Sequence, residues 1–410
     1  MKKLEVIHKK CCRLCESKKL KTVYDLNPTP IGDDYVKNPS KKQKLYPLKL
    51  RICKICKFIQ LSHVINPDIV YGKYLYVTKT SSGLPEHFKN LVKILFSKKI
   101  INKKSKVLEI GSNDGTLLDF ISSYGCKVIG VDPARELSKK TRFKTLNKIF
   151  NFKLSKKIKK SYGIFDLIIA NNVIANIDNL KNVFKGISHL LGSNGYFVME
   201  TFSLKGVIEK NLIDNIYHEH LSYFTIKTLI KFAKKFDLYI YSADHISVKG
   251  GSIRFIFTKE KKKQNVKLLN ANIEIEKKLE LDRLSTYLNL KDKNNTIKSK
   301  IQKFVKLEIL KGKKFVGYGA SIGTTTLLYE YGLGGSIDYL FDDEKRRHNL
   351  YSPGYKIKVL NPIRIKKIKP VYIIIFAWRY SNIIMKKNKK YIKNKDIFIR
   401  PLPNFEIIKK

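Results

Sequence analysis

The chain has 410 residues, 43% of them hydrophobic, which is enough for two or three cores because a single core stops growing at roughly 250 to 300 residues. Neither a run of about 18 apolar residues nor an apolar signal region is present, so we expect a cytoplasmic protein that does not bind membranes. The net charge of +49 comes from lysines spread over the whole length rather than from one basic stripe, which argues against a specific nucleic-acid partner but would attract a phosphorylated substrate.

Four of the six cysteines form two pairs of Cys-x-x-Cys spacing: Cys12 with Cys15, and Cys53 with Cys56. In a protein without a secretion signal, such pairs favour a structural zinc ion bound by four thiolates over disulfides. Cys11 would break the two-residue spacing, and Cys126 is expected to be a small core residue. The sequence therefore predicts a zinc-binding domain over residues 1–75.

The second predicted domain, residues 76–262, begins with a bridging helix near residues 85–99, and strands and helices alternate from Lys106 onward. The strands are expected at 107–110, 128–131, 165–170 and 196–200, with helices at 116–124 and 180–191 between them. A helix at 226–236 and two closing strands at 238–241 and 253–258 follow. Parallel strands closed by such a pair indicate an α/β fold of the class I methyltransferase type, a doubly wound sheet.

A glycine loop, residues 109–115 (Glu-Ile-Gly-Ser-Asn-Asp-Gly), follows the first parallel strand, where such sheets bind nucleotides. It lacks the Gly-x-Gly-x-x-Gly pattern that holds a pyrophosphate, whereas Asp132, about 20 residues on, is placed to bind both hydroxyls of a ribose. S-adenosylmethionine has a ribose and no pyrophosphate, so it is the predicted cofactor. The residues predicted to bind it are Glu109, Gly111, Asn113, Gly115, Asp132, Asn171 and Asn172.

The Tyr-His-Glu-His segment, Tyr217-His218-Glu219-His220, offers groups for proton transfer. Methylation of carbon requires removal of a proton next to a carbonyl, and imidazole is the usual base near neutral pH. Two other interpretations stay open. Three adjacent residues could bind a metal, although they fit poorly on one helix or strand, or one of the histidines could cap a helix or fill the core.

A helical connector near residues 266–310 leads to a third unit, so that residues 263–410 form the last predicted domain. A strand leading into a glycine-rich loop is expected at 314–320 and further strands at 337–341 and 371–376, with a helix near 325–331. This layout predicts a smaller, Rossmann-like doubly wound domain at the C-terminal end of the chain.

These motifs resemble the nucleotide-sugar C-methyltransferases, a family that includes the C-3 methyltransferases of thymidine-diphosphate 4-keto-deoxysugars. The resemblance covers nearly the whole chain and is carried by the two cysteine pairs, the Tyr71-Gly72-Lys73-Tyr74-Leu75-Tyr76 stretch, the glycine loop, the Tyr-His-Glu-His segment, Gly250-Gly251-Ser252-Ile253-Arg254, Gly317-Tyr318-Gly319-Ala320, Asp342-Asp343 and Ser352-Pro353-Gly354.

The resemblance implies that His220 removes the proton alpha to the C-4 ketone, while Tyr217 and Glu219 arrange the sugar and Tyr76 reaches into the same cleft. It also implies that the C-terminal domain helps to bind a nucleotide-diphosphate sugar. Two positions depart from the family: Asn176 and Lys249 stand where it often has histidines.

Other functions stay open from the sequence. O- or N-methylation uses the same fold, a zinc-containing RNA-binding protein or RNA methyltransferase would use the basic charge, and the two departures allow a silent scaffold. The sequence names neither the sugar, the methylated carbon nor the base. It also leaves the oligomeric state open, with a monomer favoured.

Overall fold

The computed structural model describes residues 4–71, 77–81, 83–139, 141–261, 264–368, 372–389 and 397–408. Within these ranges, every helix is too short or too polar to cross a lipid bilayer. The description below follows the chain from the cysteine pairs to the last sheet.

The N-terminal unit consists of short antiparallel strands around the cysteine pairs. Its elements are β1 Val6–His8, β2 Leu20–Thr29, β3 Tyr46–Cys53, β4 Ile59–Leu61, β5 His63–Ile65 and α1 Pro67–Tyr71. The turn after each pair ends in a left-handed residue, Glu16 at φ 62° and Lys57 at φ 65°, whose amide donates to the carbonyl of the pair's first cysteine at 2.9 Å. Two matching knuckles result.

The middle unit alternates strands and helices, as the sequence predicts. Its elements are α2 Leu84–Ser97, β6 Lys106–Ile110, α3 Thr116–Ser122, β7 Lys127–Val131, α4 Arg135–Ser138, β8 Thr145–Leu146, α5 Phe152–Tyr162, β9 Phe165–Asn171, α6 Leu180–Leu190, β10 Leu191–Phe202, α7 Leu204–Glu209, β11 Ser222–Tyr223, α8 Ile226–Ala233, β12 Tyr239–Ile246 and β13 Ser252–Thr258.

The seven-stranded sheet has the order β12-β13-β10-β9-β6-β7-β8. Five strands run parallel, and β13 lies antiparallel between β10 and β12. All seven residues of β13 are buried, because helices cover both faces of the sheet. This order confirms the predicted class I methyltransferase fold.

Two helices, α9 Val266–Lys278 and α10 Leu284–Leu310, connect this sheet to the last one, and Glu280 at φ 49° separates them. The last unit contains β14 Phe315–Tyr318, α11 Ile322–Glu330, β15 Tyr339–Phe341, β16 Lys358–Leu360, α12 Ile365–Ile368, β17 Tyr372–Ile375, α13 Ser381–Asn388, β18 Ile397–Arg400 and β19 Glu406–Ile408. Its sheet order, β16-β15-β14-β17-β18-β19, is that of the predicted Rossmann-like unit.

Strand β11 belongs to the N-terminal sheet although it lies far along the chain. It pairs with β4 and completes a four-stranded sheet of order β11-β4-β3-β2. The N-terminal unit also contacts the last one, because the Tyr35 hydroxyl donates to the Ala320 carbonyl at 2.7 Å and Arg347 pairs with Asp33 at 2.9 Å. The last unit also contacts the residues just before β11, through Arg379 with Asp214 and Thr326 with the Ile216 carbonyl, so the seven-, four- and six-stranded sheets, here called the three sheets, meet there.

A buried carboxyl links α8 to α9 and gives a pH test of this packing. Both oxygens of Glu276 accept from the Ile226 amide, at 3.0 and 2.9 Å, and burial raises the pKa of Glu276 to about 7. Because the folded-state pKa exceeds the ordinary value of 4.5, the stabilising contribution is full below pH 4.5 and is lost as the pH rises through about 7.

We predict that Glu276→Gln removes this dependence. Relative to the variant, the wild-type free energy of unfolding should fall by about 3 kcal/mol at most between pH 4.5 and pH 8. Urea unfolding at several pH values measures this difference. Glu274→Gln, at an exposed position of the same helix, is the control, and an equal pH dependence in Glu276→Gln and wild type would contradict the prediction.

Candidate active site

A cavity of about 1110 Å³ lies where the three sheets meet. Its walls include the glycine loop, the Tyr-His-Glu-His segment, Lys249 and Arg379. Residues 342–347, after β15, close another side. The cavity therefore joins the predicted cofactor pocket to the predicted proton-transfer groups and to basic residues of the last unit.

The glycine loop follows β6 and turns sharply at Gly111, which has φ +79°. A Cβ atom there would lie 2.1 Å from the Val173 side chain, so glycine permits both the turn and the close approach. Gly115, at φ +80°, precedes α3; it is not among the cavity-lining residues and serves the turn. Glu109, Gly111 and Asn113 line the cavity.

Asp132 follows β7 and lines the same part of the cavity. Its carboxylate accepts from the Asn113 amide at 2.9 Å and from the Ala134 amide at 2.7 Å. Burial raises the pKa of Asp132 above its ordinary value. Since each carboxylate oxygen can accept more than one hydrogen bond, both retain capacity for the two hydroxyls of a ribose.

Several buried polar atoms around this loop have no hydrogen-bond partner in the described part of the chain: Glu109 Oε2, Ser112 Oγ, and both Asn171 side-chain atoms. Buried polar atoms are normally paired, so they indicate a polar ligand. Burial, Asp132 and Asp114 raise the pKa of Glu109, a position that a cationic amino group would suit. Asn171 and Asn172 also line the cavity. These groups fit S-adenosylmethionine, whose tail carries an ammonium and a carboxylate.

His220 is held on both sides of its ring. Nδ1 lies 2.7 Å from the Asn215 carbonyl oxygen, which can only accept, so Nδ1 carries the proton. Nε2 is then unprotonated and accepts from the Tyr217 hydroxyl at 2.7 Å. Phe202 stacks on the imidazole at 4.1 Å between ring centroids, and burial lowers the pKa of His220 to about 3. The ring is a neutral base.

The other two residues of the segment have different surroundings. Burial raises the pKa of Glu219 to about 8, so its carboxyl is protonated at pH 7 and can donate a hydrogen bond. His218 Nε2 lies 3.3 Å from the Tyr46 carbonyl of the N-terminal sheet, and burial lowers the pKa of His218 to about 4. His218 therefore packs between units, as the core interpretation expects of one histidine, although it also lines the cavity.

The two departures from the family pattern, Asn176 and Lys249, also line the cavity. The Asn176 side chain hydrogen-bonds the Tyr71 hydroxyl, and the charge of Lys249 acts to lower the pKa values of Glu219 and His220. Tyr76, predicted to reach into the cleft, lies outside the described residues. The catalytic roles predicted for His220, Tyr217, Glu219 and Tyr76 stay predictions.

Sequence reasoning missed two ion pairs at this site whose partners lie far apart in the chain. Asp178 lines the cavity and pairs with Arg13 of the first knuckle at 2.9 Å, and Asp214 pairs with Arg379 at 2.8 Å. Neither pair has a local sequence signal, because about 165 residues separate its partners.

The four predicted zinc ligands form one cluster. Their sulfur atoms all lie within 4.8 Å of one another, with Cys12 and Cys56 at 3.5 Å and Cys15 and Cys53 at 3.5 Å. A tetrahedral site with Zn–S bonds near 2.3 Å places sulfurs about 3.8 Å apart. The cluster therefore fits zinc. Among the described residues, no other group of three or more His, Cys, Asp or Glu side chains is arranged to hold a metal.

We predict about one zinc ion per chain in the purified protein, and a large loss of zinc in Cys53→Ser, because three thiolates and a hydroxyl bind zinc more weakly than four thiolates. Atomic absorption measures the metal content. Cys11→Ser, one residue from the cluster, should retain the zinc, and equal loss from both variants would refute the assigned ligand set.

We also predict that Asp132→Asn weakens binding of S-adenosylhomocysteine about 10- to 100-fold, because charged hydrogen bonds contribute roughly 1.5 to 3 kcal/mol. Calorimetric titration measures the affinity. Asp166→Asn is the matched control, since that exposed carboxylate at the start of β9 accepts from the Lys106 amide at 2.8 Å. Unchanged affinity in Asp132→Asn would remove this residue from the ribose site.

Known proteins with similar sequences support this description of the domains and of the site. Three family models match in chain order: a putative zinc binding domain at residues 12–71, a methyltransferase domain at 84–243 and a C-methyltransferase C-terminal domain at 247–403. The C-methyltransferase NovU of Streptomyces niveus is 27% identical over 97% of this chain and 96% of its own length. The methyltransferase domain and the cysteine cluster confirm the predicted cofactors, S-adenosylmethionine and zinc.

Solved structures match part of the chain. A protein of Pyrococcus horikoshii OT3 is 15% identical and covers 46% of this chain and 98% of its own, with a TM-score of 0.37. Magnesium protoporphyrin IX methyltransferase of Synechocystis PCC 6803, with bound SAH, is 12% identical and covers 43% of this chain and 83% of its own, with a TM-score of 0.34. The three matched domains and the full-length relative fit the C-methyltransferase family with a zinc-binding N-terminal domain.

Proposed function

We propose that this S-adenosylmethionine-dependent C-methyltransferase acts on a nucleotide-linked keto-deoxysugar, from which it first removes the proton alpha to the ketone. The observation that carries the proposal is the unprotonated Nε2 of His220, buried in the cavity that also contains the glycine loop. A carbon nucleophile needs such a base, whereas O- and N-methylation need little besides positioning.

The segment supplies a group for each part of the deprotonation. When the ketone enters, the Tyr217 hydroxyl turns its hydrogen bond from Nε2 to the ketone oxygen, which frees Nε2 to face the carbon. The C–H bond then breaks, its proton passes to Nε2 and its electron pair moves onto the ketone oxygen. Glu219, protonated at neutral pH, donates a second hydrogen bond that stabilises the enolate.

The cavity also has charges suited to a diphosphate. Lys249 lies near the base, and Lys345 and Arg346 lie on the turn after β15, all along the cavity wall. A substrate diphosphate among these cations raises the pKa of the buried imidazole toward neutrality, because a nearby negative charge favours the protonated ring. The base is then strengthened only when substrate is present. S-adenosylmethionine, when bound at the glycine loop, would supply the electrophilic methyl group for the enolate carbon, and S-adenosylhomocysteine would be the leaving group.

We predict that the enzyme exchanges the substrate's alpha proton with deuterated solvent in the absence of the methyl donor. His220→Asn should slow this exchange by about 100-fold or more, because general-base catalysis contributes roughly 10²- to 10⁴-fold. Mass spectrometry of a panel of thymidine-diphosphate 4-keto-deoxysugars measures the label.

His218→Asn is the matched control, since that ring hydrogen-bonds the Tyr46 carbonyl, and it should retain exchange if folded. Wild-type exchange that persists in His220→Asn would remove His220 from the role. If wild type methylates a panel member and the product retains every carbon-bound proton of the substrate, the product is an O- or N-methyl compound and the proposal is wrong.

A further inference from the structure

We propose that Arg379 of the last unit, acting through Asp214, is a positioning residue that holds His220 in the tautomer with an unprotonated Nε2. The inference rests on the proposed function, because it concerns the same base. It adds a role for the last unit that is separate from substrate binding.

The first step is the contact between Arg379 and Asp214. The guanidinium donates two parallel hydrogen bonds to the carboxylate, each 2.8 Å long, and a third to the Asn215 side-chain oxygen at 3.2 Å. The Trp378 indole donates to Asp214 at 3.0 Å, and Asp214 is buried. A buried bidentate pair fixes orientation as well as distance. Residues 214 and 215 are therefore held from one side by the turn after β17.

The second step leads from this clamp to the base. The Asn215 carbonyl oxygen accepts the Nδ1 proton of His220 at 2.7 Å. In a neutral imidazole the partner of one nitrogen decides which nitrogen carries the proton, so the position of this carbonyl selects the tautomer. If the peptide between residues 215 and 216 rotates, Nδ1 loses its acceptor and the proton can shift to Nε2. The base would then have no lone pair toward the substrate.

The third step is that neighbouring residues pack closely against both sides of the Arg379–Asp214 pair. A Cβ atom on Gly323 of α11 would lie 2.7 Å from the Asp214 carbonyl oxygen, so α11 packs directly on this backbone. The Thr326 hydroxyl donates to the Ile216 carbonyl at 3.2 Å. On the opposite side, a Cβ on Gly250 would lie 2.5 Å from Arg379 Nε, which shows how closely the guanidinium lies against the turn that carries Lys249.

The test compares Arg379→Met with wild type. In protein labelled with ¹⁵N histidine, the His220 resonances of wild type should show a single neutral tautomer with the proton on Nδ1, without substrate or cofactor. In Arg379→Met we expect a mixture of tautomers, together with a roughly 10- to 100-fold slower exchange of the substrate's alpha proton, since small misplacements of a catalytic group cost about that much.

Two further variants keep the test informative if Arg379→Met does not fold. Arg379→Lys retains the charge but cannot span both carboxylate oxygens, and Asp214→Asn retains the shape but loses the charge. Both should shift the tautomer partly. Arg400→Met is the control, because its ion pair with Glu406 joins β18 to β19 and has no contact with Asp214 in the described structure.

The proposal is overturned if the Arg379 and Asp214 variants keep the single Nδ1–H tautomer, whatever their activity, or if Arg400→Met shifts the tautomer equally. A tautomer shift in the Arg379 variants supports the positioning role even if no panel sugar exchanges its proton in wild type. Absence of proton exchange in wild type would refute the proposed sugar substrate instead. Failure of the positioning role and failure of the proposed function therefore give different results.

Discussion

The site depends on the environment of one imidazole, whose two nitrogens contact partners of opposite kind. An acceptor fixed in the backbone, the Asn215 carbonyl, holds the proton on Nδ1, and a donor, the Tyr217 hydroxyl, points at Nε2. Burial lowers the pKa of the ring to about 3 and so keeps it neutral at pH 7. In the proposed function, an anionic substrate in the cavity strengthens this base, because a nearby negative charge favours the protonated ring.

This arrangement requires that a short irregular segment be fixed from several directions, because residues 216–221 lie in neither a helix nor a strand. The Leu221 amide donates to the Ala175 carbonyl at 2.9 Å, and the Leu61 amide donates to the Leu221 carbonyl at 3.0 Å. Strand β11 then joins the sheet that carries the cysteine cluster. The zinc site takes no part in the proposed proton transfer. Its sheet nevertheless supports the segment that carries His220, because β4 pairs with β11.

The first knuckle reaches the cavity by a second route. Arg13, between Cys12 and Cys15, is buried, donates to the Leu61 carbonyl at 2.8 Å and pairs with Asp178 at 2.9 Å. A buried cation of this kind is tolerated only with its partners in place, so loss of the metal should disturb the cavity wall as well as the knuckles. These contacts therefore connect the metal site to the cavity that contains the cofactor pocket and the base.

The parts that the sequence predicted are those whose determinants are local. The cysteine spacing, the glycine turn and Asp132 each depend on a few neighbouring residues, and the closing strands are short runs rich in β-branched and aromatic residues. The helix predicted near residue 325 begins at Ile322 because Ser321 and Thr324 form a capping box. The short strands β8, β16, β18 and β19 carry too few residues for a clear pattern. Asp214 and Arg379 could not be paired from sequence, because only the fold brings residues 165 positions apart together.

A crystal structure with S-adenosylhomocysteine and a keto-sugar nucleotide tests the central claim most directly. We predict that His220 Nε2 lies roughly 3 to 3.5 Å from the carbon next to the ketone, with the cofactor sulfur on the line along which a methyl group would reach that carbon. An imidazole turned away from that carbon, or a sugar bound outside the cavity between the glycine loop and the Tyr-His-Glu-His segment, would contradict it.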